Sequence, residues 1–149
     1  MNELLSSLQA LLGNTYVMYF KTHSYHWNVE GINFPQYHDF FGDLYDDVYG
    51  SIDNIAENIR KLDAYAPISL ADVISKATIA EDVTKPLSVT EMLQNTLTVN
   101  TYMIDSLNIV FSYAQLNNKQ GLCNFIADRL DTHEKHEWQL KAALKAVMK

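Results

Sequence analysis

Apolar residues recur every three or four positions along most of this chain, the period of helices that bury one face. Leu4, Leu8, Leu11, Thr15, Tyr19, His23 and His26 form the first such row, which predicts a helix from about Asn2 to Asn28. Gly31 and Pro35 interrupt it, and a proline suits the first turn of a following helix. The second row is Phe41, Tyr45, Val48, Ile52, Ile55, Ile59 and Leu62, predicting one helix from about Pro35 to Ala64. Its alternating steps of four and three are what a helix in a left-handed bundle buries. Ser88-Val89-Thr90-Glu91 reads as a capping box opening a third helix, with Leu93, Leu97, Asn100, Ile104, Leu107 and Phe111 on one side. Asn117-Asn118 marks a turn. A fourth helix is predicted from about Lys119 to the end, with Ile126, Leu130, His133, Glu137, Leu140, Leu144 and Val147 in its seam.

Between the second and third helices lies a long connection, Tyr65 to Pro86, broken by Pro67 and Pro86 and able to hold a short helix over Leu70 to Lys76. Four long helices with one long connection predict an all-α fold: a single ferritin-like four-helix bundle over residues 1–149, with a short extra helix between helices two and three. Five glycines and three prolines in 149 residues agree with long helices rather than a turn-rich β fold. The lone Cys123 cannot form an internal disulfide and, as a small buried hydrophobe, fits a reducing compartment. No apolar run approaches the roughly 20 residues that span a bilayer. The first residues lack the basic region of a signal peptide. A cytoplasmic protein without a membrane partner is expected.

Charge narrows the partners further. The net charge is −7, and Lys21 and Arg60 are the only basic residues among the first 60. Nucleic-acid affinity rests on Lys and Arg neutralising phosphates, so DNA binding is disfavoured. Lys141, Lys145 and Lys149 read as cations complementing the dipole of the last helix.

The candidate chemistry lies between His26 and Glu57. His26-Trp27-Asn28-Val29-Glu30-Gly31 is followed by Phe34, His38, Asp53 and Glu57, a mixed imidazole and carboxylate set that points toward iron. Asp53 and Glu57 are four apart and share one side of the second helix. At about 100° per residue, that side lies well over a right angle from the Ile52/Ile55/Ile59 seam, on an outer stripe with Asp39 and Asp46. Taken alone, this is a solvated acidic face. A di-iron site inside a bundle uses Glu-x-x-His on core helices, and none of the five histidines follows an acid at that spacing. Ligands on outer faces would need a partner subunit.

His26-Trp27-Asn28-Val29-Glu30-Gly31-x-x-Phe34-x-x-x-His38 with Asp53-x-x-Ala56-Glu57 resembles the signature of the Dps miniferritins (DNA-binding proteins from starved cells). Glu134-Lys135-x-x-Trp138-x-Leu140 resembles that family's closing motif, so the likeness spans essentially the whole chain. It implies a hollow homo-dodecamer with a ferroxidase site at each two-fold interface, His26 and His38 from one subunit, Asp53 and Glu57 from its mate. At most two Fe²⁺ per site would be oxidised there, preferably by H₂O₂, and Fe³⁺ stored as mineral inside. Trp27 would donate an electron and quench radicals, or serve merely as a packing aromatic.

Three departures qualify this expectation. The family's further acid, four residues after the second histidine, is Gly42 here; Asp43 is displaced by one residue, and Asp46 lies nearer the Asp53/Glu57 azimuth. The second iron position is therefore expected to be weak, and zinc also suits the first. The family's pore acids early in the last helix correspond to Asn124, with Asp128 retained one turn later, so cation focusing is reduced. A lysine-rich tail is absent. The alternatives are a DNA-protecting Dps and a Dps-like shell with impaired ferroxidase activity. His23 is expected as a packed histidine or an outer partner of His26, and His133 as a satisfied core histidine.

Overall fold

The computed structural model describes residues 1–82 and 87–147, with side chains as far as Lys145. Pro86, Lys149 and the Val147 side chain lie outside the described residues. Among the described residues, six helices follow in order: α1 (Asn2–Asn28), α2 (Phe34–Gly50), α3 (Ile52–Lys61), α4 (Leu70–Ser75), α5 (Val89–Leu116) and α6 (Gln120–Val147). α1 packs against α2, α3, α4 and α5, and α5 packs along α6. The result is a bundle of four long arms, with α2 and α3 together making the second.

That second arm is the one element that departs from expectation. In place of an unbroken helix from Pro35 to Ala64, the chain breaks at Ser51. Ser51 keeps right-handed dihedrals (φ −86°, ψ −16°). Its hydroxyl donates to the Val48 carbonyl at 2.7 Å and its amide to the same oxygen at 3.2 Å. A serine that takes the carbonyl of the preceding turn, next to a glycine, interrupts the helical ladder while the backbone stays right-handed. The buried row accordingly carries on across the break, from Phe41, Leu44 and Val48 to Ile55 and Ile59.

The ends of the other helices follow local chemistry. Ser88 Oγ accepts from the Glu91 amide at 3.1 Å while Glu91 Oε1 accepts from the Ser88 amide at 3.2 Å, the capping box that the sequence predicts. At Asn117-Asn118, Asn118 adopts φ 57°, its amide donates to Gln115, and the Lys119 amide donates back to Ala114. Those two bonds close α5 as an asparagine-type Schellman turn. Gly31, at φ +123°, takes the backbone where an L side chain is strained and turns α1 into α2.

Among the described residues, the apolar core forms two clusters. One contains Leu4, Leu8, Leu11, Val48, Ile55, Ile59, Met103, Leu107 and Ile126. The other contains Tyr25, Phe41, Leu44, Leu93, Leu140 and Leu144. The long connection is held against α1 by Asn14, whose Oδ1 accepts from the Thr78 and Ile79 amides at 2.7 and 3.1 Å. Farther along, Asp82 receives a hydrogen bond from Tyr25 Oη at 2.7 Å and pairs with the buried Lys21.

Candidate metal centre

His26 sits in the last turn of α1 and His38 in the second turn of α2. The turn at Gly31 folds them onto each other, with ring centroids 3.7 Å apart and planes within 19°. Each ring is pinned by the other residue's backbone: His26 Nδ1 donates to the His38 carbonyl at 2.6 Å, and His38 Nδ1 to the His26 carbonyl at 2.7 Å. A carbonyl oxygen only accepts, so both Nδ1 atoms carry the proton. In the neutral rings, both Nε2 lone pairs are then left for a ligand, the arrangement in which a second partner orients a metal-binding imidazole. Phe34 stacks on the outer side of His38 at 5.0 Å.

Gly42 lies under this pair. A Cβ at that position would sit 3.1 Å from His26 Nδ1 and 3.2 Å from its Cε1, tighter than ordinary contact. The missing acid is thus also a seat for the His26 ring. Asp43 is exposed and lines a cavity of about 310 Å³ with Asp47, Lys135 and His136, so it belongs to the α2–α6 side. Asp53 and Glu57 are exposed on α3, and Asp39 and Asp46 are exposed on α2. Among the described residues, no three His, Cys, Asp or Glu side chains meet in a way that could hold a metal ion. One chain therefore presents two imidazoles in one place and two outward carboxylates in another. Asn124 and Asp128 are exposed one turn apart on α6.

A stack of aromatic rings extends from the histidines along α1 and α2. His23 lies parallel to Tyr45, with centroids 3.8 Å apart and planes within 7°, and packs on Trp27 at 4.1 Å. Tyr19 is hydrogen-bonded to His23 Nδ1 at 3.0 Å and packs on Tyr49 at 4.9 Å. Burial lowers the His23 pKa, and the neighbouring His26 adds to the effect. Burial, with Tyr49, Tyr45 and Tyr16 nearby, raises that of Tyr19. Trp27 is 55% exposed and edges onto Phe20.

A second polar group joins α2, α5 and α6; the sequence pattern pointed to its histidines but not to their partners Asp47, Asn100 and Arg129. Arg129 donates to both carboxylate oxygens of Asp47 at 2.9 Å and to His133 Nε2 at 3.0 Å. His133 Nδ1 therefore donates to Asn100 Oδ1, at 2.7 Å, and His136 Nε2 meets Asp47 at 2.7 Å. Burial drives His133 down to about 3, with the Arg129 charge adding. For Asp47, burial pushes the carboxyl up, but hydrogen bonds from His136 and Arg129 outweigh it and hold it far below the usual range. One carboxylate already neutralised by a guanidinium is a poor cation site. The Asp47–Arg129 pair is therefore a structural ion pair rather than a metal seat.

The model of the ferritin-like domain family matches residues 5–148. The antigen TpF1 of Treponema pallidum is 32% identical over 130 residues, covering 87% of this chain and 73% of the relative. The DNA protection during starvation protein of Brevibacillus brevis is 31% identical, covering 92% of this chain and 91% of that protein. This chain belongs to the Dps group of the ferritin-like family. A Dps crystal structure from Vibrio cholerae, described as a member of a broad superfamily of ferritin-like diiron-carboxylate proteins, superposes with a TM-score of 0.90 at 27% identity. That match covers 96% of this chain and 89% of the other.

Proposed function

We propose that this Dps chain stores iron and acts as a ferroxidase, oxidising Fe²⁺ at sites shared between two subunits of a homo-dodecamer. The observation that carries this reading is the locked His26/His38 pair, with neither Nε2 atom hydrogen-bonded among the described residues. Asp53 and Glu57, turned away from their own core, supply the complementary oxygen donors from the mate. Imidazole and carboxylate together suit iron as substrate, and zinc as a competitor at the first position. H₂O₂ is the proposed oxidant, Trp27 an electron donor beside the site, and the interior the store for Fe³⁺. Fe²⁺ would approach past Asn124 and Asp128.

In this site the rigid imidazoles hold Fe²⁺ without reorganisation, and the carboxylates favour the Fe³⁺ product through its extra charge. With Gly42 in place of an acid, the first iron is bound tightly and the second weakly. Anaerobic titration is expected to give about one tight Fe²⁺ per site rather than the pair of a two-metal centre. The double variant His26→Ala/His38→Ala should lose rapid peroxide-driven oxidation while its size in solution stays that of the parent. Unchanged oxidation in an intact particle would overturn the site. The acidic charge argues against DNA as a partner; a gel shift at low salt without divalent cations, where electrostatic binding is strongest, would reverse that view.

A further inference from the structure

The aromatic stack beside the histidines contains one phenol with a base already in place. Tyr19 Oη and His23 Nδ1 are 3.0 Å apart, and no comparable partner serves Tyr45 or Tyr49 among the described residues. An oxidised phenol is a very strong acid, so a tyrosine gives up an electron readily only when its proton has somewhere to go. His23 supplies that acceptor. Its ring also touches Trp27 at 4.1 Å and Tyr45 at 3.8 Å, and stands 6.1 Å from His26. Trp27, half-exposed, stands on one side of His23, and the half-buried Tyr19 stands on the other, where the series continues to the exposed Tyr49.

We propose that Tyr19, with His23 as proton acceptor, is a redox-active residue that stores one oxidising equivalent, allowing a site with one tight iron to complete a two-electron reduction of peroxide. This deepens the ferroxidase reading and rests on it. The first Fe²⁺ reduces H₂O₂ by one electron, giving Fe³⁺, OH⁻ and a hydroxyl radical. The radical takes an electron from the Trp27 indole and becomes a second OH⁻. The indole radical cation is refilled by Tyr19 through the His23 ring, and the phenolic proton passes to His23 Nδ1. A second Fe²⁺ then returns an electron to the Tyr19 radical, His23 returns the proton, and the sum is two Fe²⁺ and one H₂O₂ giving two Fe³⁺ and two OH⁻. The arrangement explains why an aromatic series should lead from a half-exposed indole to a phenol paired with a base.

The transfer can be tested without iron. In the assembled Trp138→Phe protein, Trp27 is the remaining one of two tryptophans. Pulse-generated azide radicals should oxidise it, and the indole radical should convert to a phenoxyl radical at a rate independent of protein concentration. Tyr19→Phe should remove most of the phenoxyl yield, and Tyr45→Phe should leave it. His23→Phe, which keeps a stacking ring but no acceptor, should slow the conversion roughly a hundredfold, the scale of a lost proton acceptor. A rate that falls in D₂O supports the coupled proton transfer without any change at Tyr19, so the test survives a poorly folding variant. Undiminished phenoxyl in Tyr19→Phe, loss in Tyr45→Phe, or an absent isotope effect would each overturn the assignment. Freeze-quenched electron paramagnetic resonance after Fe²⁺ and H₂O₂ adds the second arm: a tyrosyl signal consumed by further Fe²⁺ in the parent and missing in Tyr19→Phe. If the ferroxidase reading alone were wrong, the iron arm would be silent while the iron-free transfer persisted.

Discussion

His26 and His38 fix each other's direction through two backbone carbonyls, and Gly42 makes room for that contact. Its role is therefore double: it lacks the acid that the family pattern has there, and it receives the His26 ring. Adding a side chain at Gly42 pushes on the ring of His26, the proposed ligand, so Gly42→Asp is not a plain restoration of the acid. Gly42→Ala isolates the steric part. Overpacking of this kind costs about 1–3 kcal/mol, so Zn²⁺ affinity measured by calorimetry is expected to fall roughly tenfold in Gly42→Ala. An affinity equal to the parent's would show that the ring yields freely. His26, His38, Asp53 and Glu57 were legible as a motif because their spacing survives in one dimension. The seat at Gly42 was not, since it depends on a ring from another helix coming within contact distance.

Helical periodicity named every long element, because burial of one face writes a repeat of three and four into the sequence. The break at Ser51 escaped it, because the right-handed dihedrals leave the repeat in phase across it. Two helical glycines show how local sequence and tertiary contact diverge. At Gly13 a Cβ would lie 2.7 Å from the Val73 carbonyl and 2.8 Å from the Ala77 amide, so the close approach of α4 and Ala77 to α1 requires a glycine at this position. At Gly50 a Cβ would meet nothing within 4 Å. Gly13→Ala is therefore expected to destabilise by about 1–3 kcal/mol as α4 is pushed away. Gly50→Ala is expected to stabilise by about 0.5–1 kcal/mol, the helix-propensity gain. Urea unfolding of the two variants against the parent checks the opposite signs, and equal effects would contradict the packing at Gly13.

Across the whole molecule, the two apolar clusters are separated by the Asp47–Arg129–His133–His136 layer, and this layer sets how stability responds to acid. The folded pKa of His133 is about 3 against an ordinary 6.5, so the unfolded chain binds a proton in that window that the native ring refuses. The stability from keeping His133 neutral is complete above about pH 6.5 and is lost as pH falls toward 3. The slope is at most about 1.4 kcal/mol per pH unit for one proton. Asp47, held low, adds its own loss only below the ordinary carboxylate range. Urea midpoints at fixed protein concentration should drop from pH 7.5 to 5, and His133→Gln should flatten that drop. A parallel slope in the variant would remove His133 as its source.

The amino-acid sequence alone determined the all-α bundle, its long connection, the outward azimuth of Asp53 and Glu57, and the family, because periodicity and motif spacing are properties of one dimension. Only the tertiary structure decided the tautomers of His26 and His38, the packing role of Gly42, the Tyr19–His23 pair and the Asp47–Arg129 ion pair between α2 and α6. Each of these depends on atoms brought within a few ångströms from different helices or successive turns, and such distances exist only once the chain has folded.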